Sequence, residues 1–332
     1  MYRYIIRRVL AAVPTIVIVS VLVSLLIRLQ PGDVIMNGIE EGGTFTPEQL
    51  VAARHELGLD RPWIVQYQCW VLGDVLNSVP GMPECDGSGL FRGDFGTSLD
   101  SGRDVLEQIG KRSRISIQLS IMAMSIAVAI ALPLGIISAV KQDSWIDYVA
   151  RFFSVLGLSI PDYFIATLFL YFLSVWVGWL PTFGYFSLFA DPWNNFKALI
   201  FPAVIVGYRL SAISARMTRS AMLEVLRQDY VRTARSKGLT ERVVIIRHSL
   251  RNALIPVITI MGAQLSHLLG GVVIIEIVFS LPGLGTLGLN AINVRDYPTV
   301  QGVVLLTSIV FVSANLLVDL SYALIDPRIR YA

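Results

Sequence analysis

Six runs of mainly apolar residues most limit what this chain can fold into. A helix needs about 20 such residues to cross a hydrocarbon layer roughly 30 Å thick. Inside that layer every backbone polar group must find a partner within its own segment, which favours a helix for each run. The runs are continuous and not alternating, so a transmembrane β-barrel is excluded. They are Val9–Ile27, Ile115–Val140, Phe152–Leu180, Ala198–Ala215, Ala253–Ile275 and Val300–Val318.

The composition and the charge distribution agree with a multi-pass membrane protein. Hydrophobic residues make up 54% of the chain and charged residues only 15%,. Six spans put both termini on one side. With cytoplasmic termini, the inner segments carry 16 Lys and Arg and the outer segments carry 10, which the positive-inside rule favours,. No small-residue cleavage site follows the first run, so we expect a retained helix and not a signal peptide.

These considerations divide the chain into predicted segments. A cytoplasmic N-terminus, 1–8, precedes the first span, and a long extracytoplasmic loop, 30–114, follows it. The other five spans form a core at 115–325, with a cytoplasmic segment, 223–252, between the fourth and fifth spans. The predicted spans are 9–29, 115–140, 152–180, 198–222, 253–280 and 300–325.

The extracytoplasmic loop carries 13 acidic and seven basic residues. It contains a helical pattern, TPEQLVAARHELGL, which Thr46 is placed to cap. The loop either caps the helix bundle or shapes an outer mouth that meets an extracytoplasmic partner. Cys69 and Cys85, the two cysteines of the chain, both lie in it. In an oxidising compartment they could form a disulfide, whereas two cysteines without neighbouring ligands make an incomplete zinc site.

Motifs for nucleotide binding and for catalysis are missing or stand in the wrong context. Gly283–Gly288 has the G-x-G-x-x-G spacing, but it follows an apolar span and not a β-strand, which indicates a membrane-surface turn. The sequence has no P-loop, no H-E-x-x-H zinc motif and no G-x-S-x-G nucleophile motif,. We therefore expect a chain that binds no cofactor, metal or nucleic acid and is not itself an enzyme.

Polar side chains inside the spans are costly, since a charge at the bilayer centre costs about 2.5–3.5 kcal/mol on insertion scales. Such residues are expected to face the helix bundle, a cavity or an interface. They either hold helices together or line a substrate path, and the sequence leaves both readings open. The residues are Arg209, His267, Glu276, Asn315 and Asp319.

The cytoplasmic segment, 223–252, is basic although it lies between two apolar runs. Its pattern predicts two short helices, 230–237 and 241–250. Gly238 separates them, at a position where a helix typically ends in the left-handed conformation. The segment is either held to anionic lipid headgroups or gripped by a soluble partner.

The residues of this segment resemble a known family. RTARSKG followed by RHSLRNALIP is similar to the cytoplasmic loop of ABC-type import permeases, in particular the first membrane subunit of the oligopeptide/dipeptide (peptide/nickel) permeases. Arg232, Thr233, Ala234 and Gly238 stand where the general importer loop has Glu-Ala-Ala and a following Gly. Further matches, such as RRVLAAVPTIVIVSVLVSLLIRLQPGD, GDFGTSL and GGVVIIEIVFSLPGLG, follow the family's order along nearly the whole chain.

The resemblance implies an all-α polytopic membrane protein with the type I ABC importer permease fold. It implies six transmembrane helices, a long extracytoplasmic loop after the first, and a place in the prokaryotic plasma (inner) membrane. The chain would form half of a translocation path as a heterodimer with a second homologous permease subunit. Two ABC ATPase subunits would use ATP and Mg below, and an extracytoplasmic substrate-binding protein would deliver a di- or oligopeptide above. The alternative substrates are nickel and other small solutes such as oligosaccharides.

The same resemblance implies that the cytoplasmic segment couples the chain to the ATPase subunits. Its second helix is expected to sit in a groove of one ATPase subunit and to tilt the attached spans when ATP closes the ATPase pair. Gly238 would permit the turn, the basic side chains would meet acidic partner surfaces, and Leu239 would offer apolar contact. The implied coupling residues are Tyr230, Arg232, Thr233, Ala234, Arg235, Lys237, Gly238, Leu239, Arg242 and His248.

Overall fold

The computed structural model describes residues 2–36, 46–78, 84–85, 87–181, 184–269 and 272–325, and the side chains of these residues other than 2–5, 269 and 319–325. Within these ranges the chain is mostly helical and has no β-strand beyond one isolated bridge between Thr97 and Asp104. The all-α fold class is therefore confirmed.

The α-helices are numbered here in chain order. The first four are α1 (Tyr2–Ile27), α2 (Pro47–Glu56), α3 (Trp63–Leu72) and α4 (Val105–Val140). The next four are α5 (Trp145–Ser159), α6 (Asp162–Phe172), α7 (Pro192–Leu226) and α8 (Asp229–Ser236). The last five are α9 (Glu241–Val243), α10 (Arg251–Leu269), α11 (Val273–Val278), α12 (Leu284–Asn293) and α13 (Tyr297–Ile325). Short 3₁₀ helices cover Gly73–Ser78 and Leu90–Arg92, and π-helical turns cover Leu173–Val177 and Val244–Leu250.

In the part of the chain that is described, five helices are long and apolar enough to span a membrane, or six if one bent pair counts as a single span. The bent pair joins Trp145–Ser159 to Asp162–Val177 at 97°. The predicted third span, 152–180, is therefore wrong as a single continuous helix. Pro161 explains the break, because it lacks an N–H and pushes the preceding Ile160 into an extended conformation, observed at φ −103° and ψ 124°,.

Several helices extend beyond the apolar runs that predicted them. The 36 residues of α4 would reach about 54 Å at 1.5 Å per residue, well beyond the hydrocarbon layer,. Helix α7 likewise begins before and ends after the predicted span 198–222. The predicted fifth span, 253–280, contains α10 and α11, with residues 270–271 between them outside the described part.

The chain forms two compact units. The core unit comprises Ser116–Leu281 and Phe311–Ala332, and the loop unit comprises Tyr2–Ile115 and Pro282–Val310. The sequence prediction had placed 282–310 inside the core of 115–325, whereas these residues pack with the extracytoplasmic loop. That grouping depends on tertiary contacts between segments far apart in the chain.

Small residues bring the helices of the core unit close together. A Cβ added to Gly135 of α4 would lie 2.6 Å from the Cβ of Thr218 on α7. A Cβ added to Gly207 of α7 would lie 2.7 Å from the carbonyl oxygen of Ala123 on α4. Small residues are favoured where membrane helices pack, since they allow the backbones to approach. Helix α7 thus fits tightly against α4.

The loop unit has its own apolar core and contains a buried carboxylate, that of Asp296. The Asp296 side chain accepts hydrogen bonds from Ser98 Oγ at 2.7 Å, Thr299 Oγ1 at 2.6 Å and the backbone N–H of Leu99 at 3.0 Å. These bonds fix the extracytoplasmic loop to the start of α13. The larger apolar cluster beside them contains Val105, Ile109, Leu284, Leu287 and Val303.

Candidate functional site

The segment predicted to couple the chain to the ATPase subunits, residues 223–252, is called the coupling segment here. It begins in the last turn of α7 and continues into the short helix α8. Val231 and Ala234 on one face of α8 are buried, and with Val244 they form an apolar cluster. Val225 and Leu226, at the end of α7, pack against this cluster. Helix α8 therefore shares an apolar core with the end of α7, which is one of the candidate membrane spans.

Gly238 forms the turn after α8, as the sequence predicted. Its φ of +78° lies in the left-handed region, and an added Cβ would meet nothing within 4 Å. Glycine is therefore favoured here by the backbone conformation and not by lack of space, at a cost of about 1–2 kcal/mol for most other residues. Across the turn, Arg235 Nε donates to Glu241 Oε1 at 2.8 Å.

The second predicted helix, 241–250, is wrong as a separate surface element. Helix α9, the π-helical turn Val244–Leu250 and α10 follow one another without a break and form one candidate span, Glu241–Leu268. No glycine or proline interrupts the chain between Glu241 and Arg251, so nothing ends the helix there,. Helix α8 is consequently the separate short helix of this segment.

Most of the predicted coupling side chains are accessible. Ala234 is the exception, because it is buried under α8 and packs inside the segment, and His248 is half-buried. The Tyr230 hydroxyl accepts a hydrogen bond of 2.7 Å from Asn252 Nδ2, which ties α8 to α10. The exposed members are Tyr230, Arg232, Thr233, Arg235, Lys237, Leu239 and Arg242.

A buried carboxylate that the sequence analysis missed connects this segment to the rest of the core unit. Asp147, in the first turn of α5, is fully buried, and its two oxygens accept hydrogen bonds of 2.7 Å from Arg219 Nε and Nη2 on α7. Ser138 Oγ on α4 and the backbone N–H of Asp143 also donate to it. The carboxylate therefore joins α4, α5 and α7 about one helical turn before the coupling segment begins,.

Arg209, one of the polar residues predicted inside the spans, forms a second ion pair on α7. Its Nη1 lies 3.1 Å from Oδ2 of Asp162, at the start of α6 beside the helix break. The Arg209 side chain is 52% exposed and that of Asp162 is 16% exposed. This pair is therefore much more open than the one at Asp147.

The other predicted span residues do not converge on one site. Glu276 is fully buried and accepts a hydrogen bond of 2.6 Å from Ser116 Oγ, which joins α11 to α4. Asn315 on α13 accepts from Ser266 Oγ on α10 at 3.4 Å. His267 is exposed, and its ring centre lies 5.8 Å from that of Phe311. The side chain of Asp319 lies outside the described residues. Glu276 and Asn315 thus hold helices together.

In the loop unit, Cys69 and Cys85 are joined by a disulfide across 16 positions of sequence. A cavity of about 460 Å³ lies beside it, and its lining includes Arg28, Trp70 and Tyr297. The Arg28 guanidinium donates to Gln66 Oε1 at 2.9 Å and lies 4.8 Å from the Tyr297 ring centre. The described part of the predicted extracytoplasmic loop is therefore held by a disulfide and by side-chain hydrogen bonds.

Asp94, which also lines this cavity, is held by several donors. The backbone N–H of Gly96 donates to Oδ1 at 2.8 Å, and the N–H and hydroxyl of Ser88 donate to Oδ2 at 3.1 Å. These hydrogen bonds, that from Gly96 foremost, hold the pKa of the Asp94 carboxyl below its ordinary value,. Asp94 therefore contributes a negative charge to a cavity lining that also contains Arg28 and Arg61.

Two protein families match the chain in succession. The family described as "Binding-protein-dependent transport system inner membrane component" matches residues 131–331. The N-terminal family of the same transport systems' membrane components matches residues 1–120. Together they cover the core, the extracytoplasmic loop and the first span.

Similar proteins extend the match over the full length. The chain is 39% identical to the glutathione transport system permease protein GsiC of Salmonella typhi and 40% identical to that of Pectobacterium atrosepticum, over 331 residues and all of both chains. It is also 39% identical, with the same coverage, to a protein of Brucella abortus named for peptide transport. A solved structure of the MetNI methionine ABC transporter in an inward-facing conformation matches with a TM-score of 0.52 and 18% identity, covering 67% of this chain and 97% of that one. This last match supports the fold alone.

Proposed function

Since this chain belongs to the family of binding-protein-dependent transport system inner membrane components, we propose that it forms half of an ATP-driven path that imports peptides. The family members are multi-pass inner-membrane subunits of ABC importers, which work with ATPase and substrate-binding partners and are not themselves enzymes. The observation that carries the peptide proposal is the full-length identity of 39–40% with proteins named for glutathione or peptide transport. Glutathione is itself a tripeptide, so the two names describe one chemical class.

In this proposal the chain pairs with a second, homologous permease subunit, and both termini face the cytoplasm. Two ATPase subunits bind and hydrolyse ATP with Mg on that side, and a binding protein delivers the peptide outside. The excess of Lys and Arg in the predicted inner segments supports this orientation,. The exposed basic residues of α8 and of the following turn offer the docking surface for the ATPase subunits.

The geometry of the coupling segment supports a direct mechanical role. Helix α8 shares the Val231–Val244 cluster with α7, and Tyr230 ties it to Asn252 of α10. Arg219 then links α7 to α5 through Asp147. A movement of α8 imposed by the ATPase pair would therefore displace α5, α7 and α10 together. Such a displacement can switch the packed helices between two arrangements. In one the path opens to the cytoplasm, and in the other it opens to the outside.

Uptake of labelled substrates tests the proposal. Cells that carry the complete transporter would be compared with cells lacking only this chain, using labelled glutathione, peptides of two to five residues, and nickel ions. We expect energy-dependent uptake of a peptide, glutathione included, that is lost with the chain. Equal peptide uptake in both strains, or loss of nickel uptake alone, would contradict the peptide proposal.

A further inference from the structure

Arg209 and Asp162 form an ion pair, and the lengths of their helices place it near the middle of the predicted spans. Arg209 lies near the centre of α7, about 25 Å from its cytoplasmic end at 1.5 Å per residue,. Asp162 opens α6 immediately after the 15 residues of α5, which rise roughly 22 Å from the cytoplasmic turn,. The two helices place the pair at the same depth, and the hydrocarbon layer is about 30 Å thick.

The exposure of this pair is inconsistent with a position against lipid. The Arg209 side chain is 52% exposed, and a charge exposed to lipid at this depth costs about 2.5–3.5 kcal/mol or more,. Ionisable residues within spans therefore face a water-filled cavity or another protein surface. The exposed face of Arg209 is thus expected to border an aqueous path or a partner.

The helix break beside Asp162 favours the path. Pro161 ends α5, and the chain turns by 97° before α6 begins at Asp162. Discontinuous helices near the membrane midplane are a recurrent construction of substrate sites in transporters, because irregular backbone at that depth is tolerated where it lines a cavity. Only hydrogen bonds within the protein support backbone that faces lipid, and a proline break removes some of them.

The pair is also loosely held. Within the described residues, the Arg209 guanidinium makes one hydrogen bond, from Nη1 to Asp162 Oδ2 at 3.1 Å. A guanidinium can donate two parallel hydrogen bonds to a carboxylate, and Arg209 uses only part of this capacity. Arg219, by contrast, binds Asp147 through two such bonds. Arg209 can therefore exchange its partner at little cost.

We propose that Arg209 and Asp162 together form a binding site for the charged ends of a peptide. The carboxylate of the peptide binds the Arg209 guanidinium, the peptide ammonium binds the Asp162 carboxylate, and the internal ion pair opens. A zwitterionic ligand replaces each lost contact with one of the same charge, so the site stays neutral both empty and filled. The inference rests on the proposed function, since it specifies which groups of an imported peptide the chain recognises.

Direct binding to the purified complex, without the substrate-binding protein, tests this site. A radiolabelled tripeptide would be measured by equilibrium dialysis, with unlabelled free, C-amidated and N-acetylated tripeptides as competitors. We expect Arg209→Gln to weaken binding at least tenfold and to abolish the preference for a free over an amidated C-terminus. Asp162→Asn should likewise abolish the preference for a free over an acetylated N-terminus, and Arg209→Lys should retain part of the affinity.

Arg216→Gln is the matched control, because Arg216 is an exposed arginine two turns further along the same helix. The proposal is overturned if Arg209→Gln leaves binding unchanged, or if Arg216→Gln weakens it equally. It is also overturned if Arg209→Gln only dissociates the permease subunits while each intact complex binds peptide normally, which would identify a subunit interface. A wild-type transporter that imports no peptide even with its binding protein would refute the proposed function. Normal import by both Arg209→Gln and Asp162→Asn would refute this site alone.

Discussion

Two ion pairs connect α7 to the broken helix pair α5–α6, and they differ in every respect except their chemistry. Arg219 and Asp147 form two hydrogen bonds of 2.7 Å around a fully buried carboxylate that has further donors from Ser138 and Asp143. Arg209 and Asp162 form one contact of 3.1 Å, and the arginine is half-exposed. The first arrangement fixes helices in one geometry, whereas the second can open. Burial and the number of donors, and not the residue types, separate a structural link from a candidate binding site.

The largest effect should follow removal of the buried link. Arg219→Ala removes the cation that binds the buried Asp147 carboxylate through two hydrogen bonds and leaves Arg151, whose Nη2 lies 3.4 Å from Oδ2, as the more distant one. Breaking a buried ion pair costs up to about 3–5 kcal/mol. We expect a large drop in the thermal unfolding midpoint of the purified complex and little folded protein at the growth temperature. Arg219→Lys, which keeps the charge but not the paired geometry, is the control and should lose less. Unfolding midpoints equal to wild type in both variants would show that the pair does not hold α5 to α7.

The second largest effect should follow removal of the disulfide between Cys69 and Cys85, which belongs to neither ion pair. Closing a loop of this length with a disulfide contributes about 3 kcal/mol in the chain-entropy account. Replacing both Cys69 and Cys85 by Ser should therefore destabilise the loop unit, measured as faster cleavage of the extracytoplasmic loop by added protease. The comparison with reductant-treated wild type separates loss of the bond from loss of the side chains. Thiols that label from outside without a reductant would refute the oxidised state in cells.

The exposed pair should contribute least to stability. Arg209→Gln removes one contact between partly solvated groups, and such pairs contribute about 0.2–1 kcal/mol. In the same thermal unfolding assay we expect the midpoint of Arg209→Gln to lie within a few degrees of wild type, whereas that of Arg219→Ala is much lower. An unfolding midpoint as low as that of Arg219→Ala would show that the Arg209–Asp162 pair also stabilises the fold, and would contradict the difference drawn between the two pairs.

The sequence predicts the parts of this fold that depend on local chemistry. Apolar runs predict the spans, because lipid leaves a helix as the one way to satisfy the backbone of an isolated segment. Gly238 predicts the turn after α8, because glycine readily adopts the left-handed conformation that ends a helix, and the structure has φ +78° there,. The bend at Pro161 has a local signal as well, since proline ends a helix, but the apolar residues on both sides of it favour a single span,.

Tertiary contacts account for what the sequence did not predict. Asp147 sits next to a polar turn, where an acidic residue is ordinary, and its partner Arg219 lies 72 positions away. Ala234 belongs to the motif that carries the family resemblance, yet its burial depends on Val244 across the turn. The grouping of residues 282–310 with the extracytoplasmic loop depends on clusters assembled from both segments.

The coupling segment is the central claim, and a pair of substitutions at Gly238 tests it most directly. Valine is strongly disfavoured at positive φ, whereas asparagine is among the residues that tolerate it, and neither meets a neighbour through its Cβ,. The measurement is ATP-driven uptake of a labelled peptide into vesicles that contain the complete transporter, with ATP hydrolysis recorded in the same vesicles. The account predicts that Gly238→Asn keeps most of the uptake, while Gly238→Val inserts and assembles but imports little peptide for each ATP hydrolysed. Equal uptake per ATP in wild type and Gly238→Val, or uptake that persists without ATP, would contradict it.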